Sequence, residues 1–397
     1  MINFSLRNFT DIVFGKNQEE KAGTLIREFG GSKVLLHHCG EPFVLPLIER
    51  VKGFLEKSEL AVVELAGVVP NPRIELVYDG VALCKKENVD FILAVGGGSV
   101  IDSAKAIAIG ARFDGDVWDI YDYKAVPTDA LPVGVISTFA GSGAESTAGS
   151  VITKGKIKRG IIDPDDKILS RPKFMILNPA LTFTLNRHQT ACGIIDIISH
   201  LTENYFTTNK DTEFAGNFIT ACLRTVIKFT PSVMENPEDY EARGALMMIS
   251  SLAINGYSKV GRSGDWGCHE IEHETSGEWD IAHGAGIAIL MPVWMRYVYK
   301  RHVEGFAKYA TEVFDIPPDY ENLEKTALAG IERFSAFIKD TLQLPSTFSE
   351  LGVPANQLTD DILKKIADQV FFLGNKTVGR TYPIDTTDIF NILKQCV

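Results

Sequence analysis

The sequence predicts an α/β domain followed by an all-helical domain, and three observations carry that expectation. From residue 30 to about 180, short runs rich in β-branched residues alternate with helical stretches, the pattern of βαβ units around a mostly parallel sheet. After the turn at Asn178-Pro179, long helical periodicities take over and strand signals almost vanish. Composition fits: 397 residues suggest two or three domains, and 23% charged with 45% hydrophobic residues argues against a largely disordered chain.

The strand candidates are KVLLHH, ELAVVELAG, FILAVGGG, LPVGVIST and KFMILNP, with the amphipathic segment NPRIELVYDGVALCKKENV between two of them. In the second half, HQTACGIIDIISHLTENYF, EFAGNFITACLRTVIKFT, YEARGALMMISSLAING and DILKKIADQVFFL repeat apolar residues at helical spacing. These textures place a boundary near residue 185, giving domains 1-185 and 186-397. No internal repeat or low-complexity segment interrupts them.

A formal charge of -11 argues against nucleic acid or an anionic membrane as partner. The start MINFSLRNFTDIVFG lacks the pattern of a secretory signal, and no apolar run approaches the roughly 20 residues of a membrane span, so a cytoplasmic protein is expected. The six cysteines include no C-x-x-C pair, which suits neither a disulfide framework nor a zinc knuckle.

In FILAVGGGSVIDSAKAIAIG a buried-type strand runs through Gly96-Gly97-Gly98-Ser99 into a helix. Glycines there let backbone approach a ligand, and the free amides of a new helix favour an anion such as a pyrophosphate. The spacing is not G-x-G-x-x-G, so the loop reads equally as a tight turn. A second small-residue loop, Thr138 to Gly143, follows the strand LPVGVIS. Two such loops at the carboxyl ends of strands raise the case for a nucleotide, with Thr138 and Ser142 offering hydroxyls. Asp102 reads either as a cofactor contact or as a helix cap, and His37 and His38 as candidates for a cofactor phosphate.

The helical half carries a different chemistry. Asp196 and His200 lie four residues apart, hence on one helix face, in an otherwise apolar stretch. An ionised carboxylate there needs a partner, and a divalent cation shared with an imidazole is one; a hydrogen-bonded structural pair is the other reading. Further on, CHEIEHETSGEWDIAHGAG places His269, His273 and His283 within 15 positions, three of the protein's eight histidines. Imidazoles with one carboxylate suit Fe(II) or Zn(II) better than calcium or magnesium. Periodicity leaves open which of the three histidines joins Asp196 and His200. Phe139, Trp266 and Trp279 hint at an apolar pocket or serve as packing.

PNPR at 70 to 73, GGGSVIDSAK at 96 to 105, RPKF at 171 to 174, HQTACGIIDIISH at 188 to 200, SSLAING at 250 to 256, and HEIEHE with DIAHGAG at 269 to 286 stand in one order. On these motifs the sequence resembles the iron-containing alcohol dehydrogenase family, specifically its butanol dehydrogenase branch, over nearly its whole length. The resemblance implies a Rossmann-like dinucleotide-binding domain and a helical metal-binding domain in a dehydroquinate synthase-like architecture. It also implies Asp196, His200, His269 and His283 as ligands of Fe2+ or Zn2+, with His273 left near the nicotinamide as a proton relay. Gly97, Gly98, Ser99, Asp102, Thr138 and Ser142 fall on cofactor contacts, and Lys158 on a lysine that reaches the ribose. The chain departs from the family at Ala144, where a loop hydroxyl is lost.

It departs also after the second strand, where Cys39 and Gly40 replace the acidic residue that NAD users often carry there. That charge logic leans to NADP(H), although Glu41 can bind a ribose 2′-OH, so NAD(H) stays open. The implied reaction is hydride transfer between the dinucleotide and a short-chain primary alcohol or aldehyde such as butanol or butanal, by a homodimer. Two alternatives remain, a dehydroquinate-synthase-like lyase and a non-catalytic nucleotide-binding protein on the same fold.

Overall fold

The computed structural model describes residues 1–161 and 169–397. They divide into two compact units. One comprises residues 7–185 with 250–255, the other residues 1–6, 186–249 and 256–397.

The first unit is built on a six-stranded sheet. Its elements run β1 (Asp11–Phe14), α1 (Ala22–Glu28), β2 (Lys33–His38), α2 (Leu45–Lys57), β3 (Ala61–Leu65), α3 (Ile74–Glu87), β4 (Phe91–Gly96), α4 (Gly98–Ala111), α5 (Val117–Tyr121) and β5 (Val133–Ser137). The hairpin β6 (Ser150–Lys154) and β7 (Ile157–Ile161) precedes β8 (Phe174–Leu177). All pairings within the large sheet are parallel, in the order β1-β8-β5-β4-β2-β3, while β6 and β7 pair antiparallel as a separate ribbon.

Parallel strands covered on both faces read as continuous apolar runs, and β4 is buried at every residue. Their period of two still sorts the side chains. Val34 and Leu36, Phe91, Leu93 and Val95, Ile136, Phe174 and Ile176 form one core cluster with Ile26 of α1 and Ile48, Val51 and Leu55 of α2. Each such side chain contributes about 1.5–3 kcal/mol on burial. The helices α3 and α4 also meet closely: a Cβ on Gly80 would come within 2.4 Å of the Ile107 side chain.

The strand order has one functional consequence. From β2 the chain steps outward to β3 and then returns across β2 to place β4 on its other side. The topological switch point therefore lies between the carboxyl ends of β2 and β4, where open α/β sheets bind ligands.

The sequence pattern marks five of the eight strands among the described residues. It misses β1, whose apolar Ile12 and Phe14 are exposed on a sheet edge, and the β6–β7 ribbon, which turns at Gly155 with φ 61° between two lysines.

The second unit is helical: α6 (Arg187–Tyr205), α7 (Glu213–Glu235), α8 (Tyr240–Ile254), α9 (Gly267–Trp279), α10 (His283–Val298), α11 (Val303–Phe314), α12 (Leu323–Ala336), α13 (Asp360–Gln369) and α14 (Thr386–Lys394). The last turn of α8 groups with the sheet unit. An Asn186/Gln189 capping box starts α6, which is buried continuously from Thr190 to Tyr205. No described helix is long and apolar enough to cross a membrane.

Candidate metal centre and dinucleotide loops

The helical unit gathers its polar residues by helical spacing. On α6, Asp196, His200 and Glu203 recur at four and three residues and share one face. On α9, His269, Glu272, His273 and Ser276 do the same. α10 begins at His283, and the two glycines that follow it explain the HGAG motif by packing. A Cβ on Gly284 would lie 2.3 Å from the Cys192 carbonyl of α6, and one on Gly286 would lie 2.8 Å from Glu272 Oε1. Only glycines let α10 press so closely against α6 and α9.

The result is a convergence on one oxygen. Asp196 Oδ1 lies 3.5 Å from His200 Nε2, 3.9 Å from His269 Nε2 and 3.5 Å from His283 Nε2, and no hydrogen bond closes on it. Asp196, His200 and His269 can each turn one donor atom towards a common point, these atoms lying within 4.8 Å of one another. Asp196, His200 and His269 are buried, as is Glu203, while the His283 side chain is 25% exposed. A buried carboxylate without a hydrogen bond costs several kcal/mol. One carboxylate oxygen among three imidazole nitrogens is the donor set of a first-row divalent cation such as Fe(II) or Zn(II), and the residues fit that group.

Electrostatics agree. Burial pushes the Asp196 pKa up, but the surrounding imidazoles outweigh it and hold the carboxyl well below its usual range. Burial drives His200 down to about 3, so it stays neutral. For His269 burial works in the same direction, yet Glu203 and Asp196 reverse it and raise the group to about 10, the mark of a site whose carboxylates favour a positive charge, whether a proton on the ring or a cation beside it. His269 Nδ1 donates to Glu203 Oε2 and His283 Nδ1 donates to Glu272 Oε2, which leaves both Nε2 atoms facing Asp196. His273 stands just outside, its ring centroid 5.8 Å from that of His283.

Trp266 adds a wall. It adopts a left-handed conformation at φ 71° as the cap of α9, rare for a bulky residue. Its ring lies 5.9 Å from His200 and 5.2 Å from His269, with Lys259 Nζ 4.4 Å above it. Trp279, by contrast, packs on Phe348 at 4.6 Å.

The sheet unit presents backbone rather than side chains. α4 opens at Gly98 with Gly97 as its cap and no side-chain hydrogen bond to its first amides. Its two small-residue loops touch: Thr138 N donates to the Gly96 carbonyl at 3.1 Å, and Cβ atoms on Gly97 and Gly98 would meet Phe139 at 2.9 Å and Ser142 Oγ at 2.5 Å. Gly97, Gly98, Ser99, Thr138 and Ser142 thus form one partly exposed surface. Across the switch point, Gly40 turns with φ 81° and Glu41 is exposed.

Asp102 is not a cap. It sits inside α4, where its Oδ2 accepts from Val151 N of β6 at 3.0 Å, and Lys158 is buried on β7 opposite Thr153. His37 and His38 are fully buried, which overturns their reading as phosphate contacts. His37 Nδ1 donates to the Leu65 carbonyl and its Nε2 accepts from Ser103 Oγ, both at 2.9 Å. His38 accepts from Gly40 N and donates to Glu64, both at 3.0 Å, and so fixes the turn that presents Glu41.

Two further groups are not singled out by sequence pattern. Lys105, buried and lowered to about 8 by that burial, donates to the carbonyls of Ala144 and Gly149 at 2.7 Å. Ser251 donates to Glu145. Together they anchor the second loop through Ala144, the position that lacks the family hydroxyl. A lysine inside the apolar run AKAIAIG is the one signal the sequence offers for this anchor.

Comparison with known proteins places this arrangement. The descriptions "Iron-containing alcohol dehydrogenase" and "Fe-containing alcohol dehydrogenase family, C-terminal" match residues 10–179 and 190–397. The chain belongs to the iron-containing alcohol dehydrogenase family. It is therefore an oxidoreductase of the alcohol dehydrogenase class. It is 39% identical to the probable NADH-dependent butanol dehydrogenase 1 of Bacillus subtilis, over 99% of each chain. To the NADPH-dependent aldehyde reductase YqhD of Escherichia coli it is 29% identical over 98% of each. The crystal structure of NADH-dependent butanol dehydrogenase A from Thermotoga maritima superposes with a TM-score of 0.92 at 36% identity, covering 100% of this chain and 99% of that one.

Proposed function

We propose that the protein is a metal-dependent, NADH-preferring dehydrogenase that interconverts short-chain primary alcohols and aldehydes such as butanol and butanal. The observation that carries this reading is the convergence of His200, His269 and His283 on the orphaned Asp196 Oδ1. A divalent metal held by these four residues supplies Lewis-acid stabilisation of charge developing on a substrate oxygen, and the nicotinamide supplies or takes the hydride.

The chain's own residues do the rest. Amides at the start of α4, with Thr138 and Ser142, bind the diphosphate. His273, next to His283, carries the proton to or from the substrate oxygen through its imidazole, a group suited to relay work near neutral pH. Asp102, on α4, supports the first of the two loops by tying its helix to β6 through the Val151 amide.

The cofactor preference revises the sequence-based lean to NADP(H). Relatives named NADH-dependent are 35–39% identical, against 29% for the aldehyde reductase named NADPH-dependent. The exposed Glu41 beyond the Gly40 turn supports the same choice, since a carboxylate there binds a 2′-OH and repels a 2′-phosphate. The free edge of β1, with Ile12 and Phe14 exposed, supports a homodimer, and six unpaired cysteines suit the cytoplasm.

The test is loss of reduced-nicotinamide absorbance with butanal, run with NADH and NADPH on protein loaded with Fe(II) or Zn(II) beside a chelated control. Metal-dependent oxidation faster with NADH is expected, and Glu41→Ser should narrow the NADH/NADPH ratio by about tenfold. Metal-independent turnover overturns the assignment of the centre, and a preference for NADPH overturns that of Glu41.

A further inference from the structure

Two carboxylates behind the histidines have no part in the chemistry described so far. Glu203 projects from α6 one turn beyond His200, and Glu272 from α9 one turn beyond His269. Both side chains are completely buried. Each spends one oxygen on the Nδ1 of a different histidine. The other oxygen is held from outside the centre. Glu203 Oε1 accepts the Cys268 amide at 2.8 Å, and Glu272 Oε1 accepts the Ser276 hydroxyl. Gly286 leaves just the room that Glu272 needs.

We propose that Glu203 and Glu272 are positioning residues that set the tautomers of His269 and His283, keeping the hydrogen on Nδ1 and the lone pair of Nε2 turned towards Asp196. This rests on the proposed ligation by those histidines. A histidine ligates through a nitrogen that carries no hydrogen, so an imidazole left free to take the other tautomer must reorganise before it can bind. His200 has no such device: its Nδ1 is buried without a hydrogen bond. The carboxylates also supply negative charge behind two of the ligands, which raises their basicity towards a cation.

The two anchors differ chemically, and the difference makes the proposal testable. Glu203 faces two donors, an amide N–H and an imidazole N–H. A glutamine there has one oxygen for both, and its NH2 must oppose one of them; when that one is His269 Nδ1, the hydrogen is driven to Nε2 and ligation is blocked. Glu272 faces an imidazole N–H and a hydroxyl, and the hydroxyl can accept as well as donate. A glutamine at 272 therefore keeps the tautomer and loses only the charge.

The experiment is chelator competition with Zn2+ and Co2+, without cofactor or substrate, on the full-length protein and its Glu203→Gln and Glu272→Gln variants. Circular dichroism and thermal unfolding of the metal-free forms run alongside. Affinity should fall about a hundredfold for Glu203→Gln and about tenfold for Glu272→Gln, with the metal-free fold retained. Glu203→Asp, which keeps the charge on a shorter stem, should fall between the parent and Glu203→Gln, and stands in if that variant does not fold. Affinities within twofold of the parent for Glu272→Gln together with either Glu203 variant, or a larger loss at 272 than at 203, overturn the proposal while the metal site stands. A parent that binds neither ion, or an Asp196→Ala control that binds as tightly as the parent, overturns both.

Discussion

The helical unit and the sheet unit build their candidate sites from opposite materials. In the helical unit the site consists of side chains carried on rigid helices: Asp196, His200, His269 and His283, with Glu203 and Glu272 behind two of them. In the sheet unit it consists of backbone, the bare start of α4 and a second loop laid against it, with side chains kept small so that the two can meet. The first kind of site is specific in what it holds and unforgiving of substitution, while the second is shaped by what is missing. The two should therefore fail differently when altered.

The largest effect is expected at the side-chain site. Asp196→Ala removes the oxygen on which the three imidazoles converge, so bound metal should be lost and turnover should fall by about three orders of magnitude, the several kcal/mol that Lewis-acid stabilisation is worth. Elemental analysis beside a butanal assay checks this, and an active variant with full metal content removes Asp196 from the centre. Next comes His273→Ala, expected to lower turnover by about a hundredfold while leaving the metal in place, because this ring stands beside His283 and outside the convergence. Loss of metal in that variant makes His273 a ligand instead of a relay.

The backbone site should respond to addition rather than deletion. A methyl group at position 98 would sit 2.5 Å from Ser142 Oγ, pushing the two loops apart. Gly98→Ala should weaken dinucleotide binding by about tenfold, corresponding to roughly 1.4 kcal/mol, and leave metal content unchanged. The double variant Gly98→Ala/Ser142→Gly removes the colliding hydroxymethyl and should bind more tightly than Gly98→Ala once the loss from Ser142→Gly alone is subtracted; calorimetric titration of NADH into all three decides it. No recovery would mean that the glycine is needed for ligand approach alone.

The contrast also explains what is legible in the sequence. Helical spacing puts chemistry-bearing residues in register, so Asp196/His200 and His269/His273 stand out as pairs from their separation along the chain alone. Which histidine completes the set does not follow from spacing, since His283 arrives from the start of another helix and is placed by packing at Gly284 and Gly286. Glu203 and Glu272 carry the same periodic signal, but a carboxylate on a helix has too many ordinary uses to be singled out. In the sheet unit, the small residues after β4 and β5 are visible in the sequence, yet their function rests on the strand order, which places the ends of β2 and β4 side by side. Buried partners are nearly hidden: Lys105 shows only as a charge inside an apolar run, and its role and that of Glu145 appear once the carbonyls of Ala144 and Gly149 and the Ser251 hydroxyl are in place.

His37 sharpens the comparison at the smallest scale, because it is a histidine of the sheet unit with no ligand to serve. Burial, partly offset by the Leu65 carbonyl, lowers its pKa from 6.5 to about 4. The sign follows from proton counting. Between pH 6.5 and about 4 the unfolded chain takes up a proton at this residue that the native protein refuses. Its contribution to stability is thus fully present above pH 6.5 and is lost as the pH falls towards 4, by about 1.4 kcal/mol per pH unit and roughly 3 kcal/mol across the window. His37→Gln, which can still donate to Leu65 and accept from Ser103, should be nearly neutral at pH 7.5 and should flatten the acid limb of the stability curve. Urea midpoints for both proteins at about pH 7.5, 5.5 and 4.5 check this. Parallel curves would mean that His37 takes up its proton in the native protein too, so that its two hydrogen bonds would not hold it neutral.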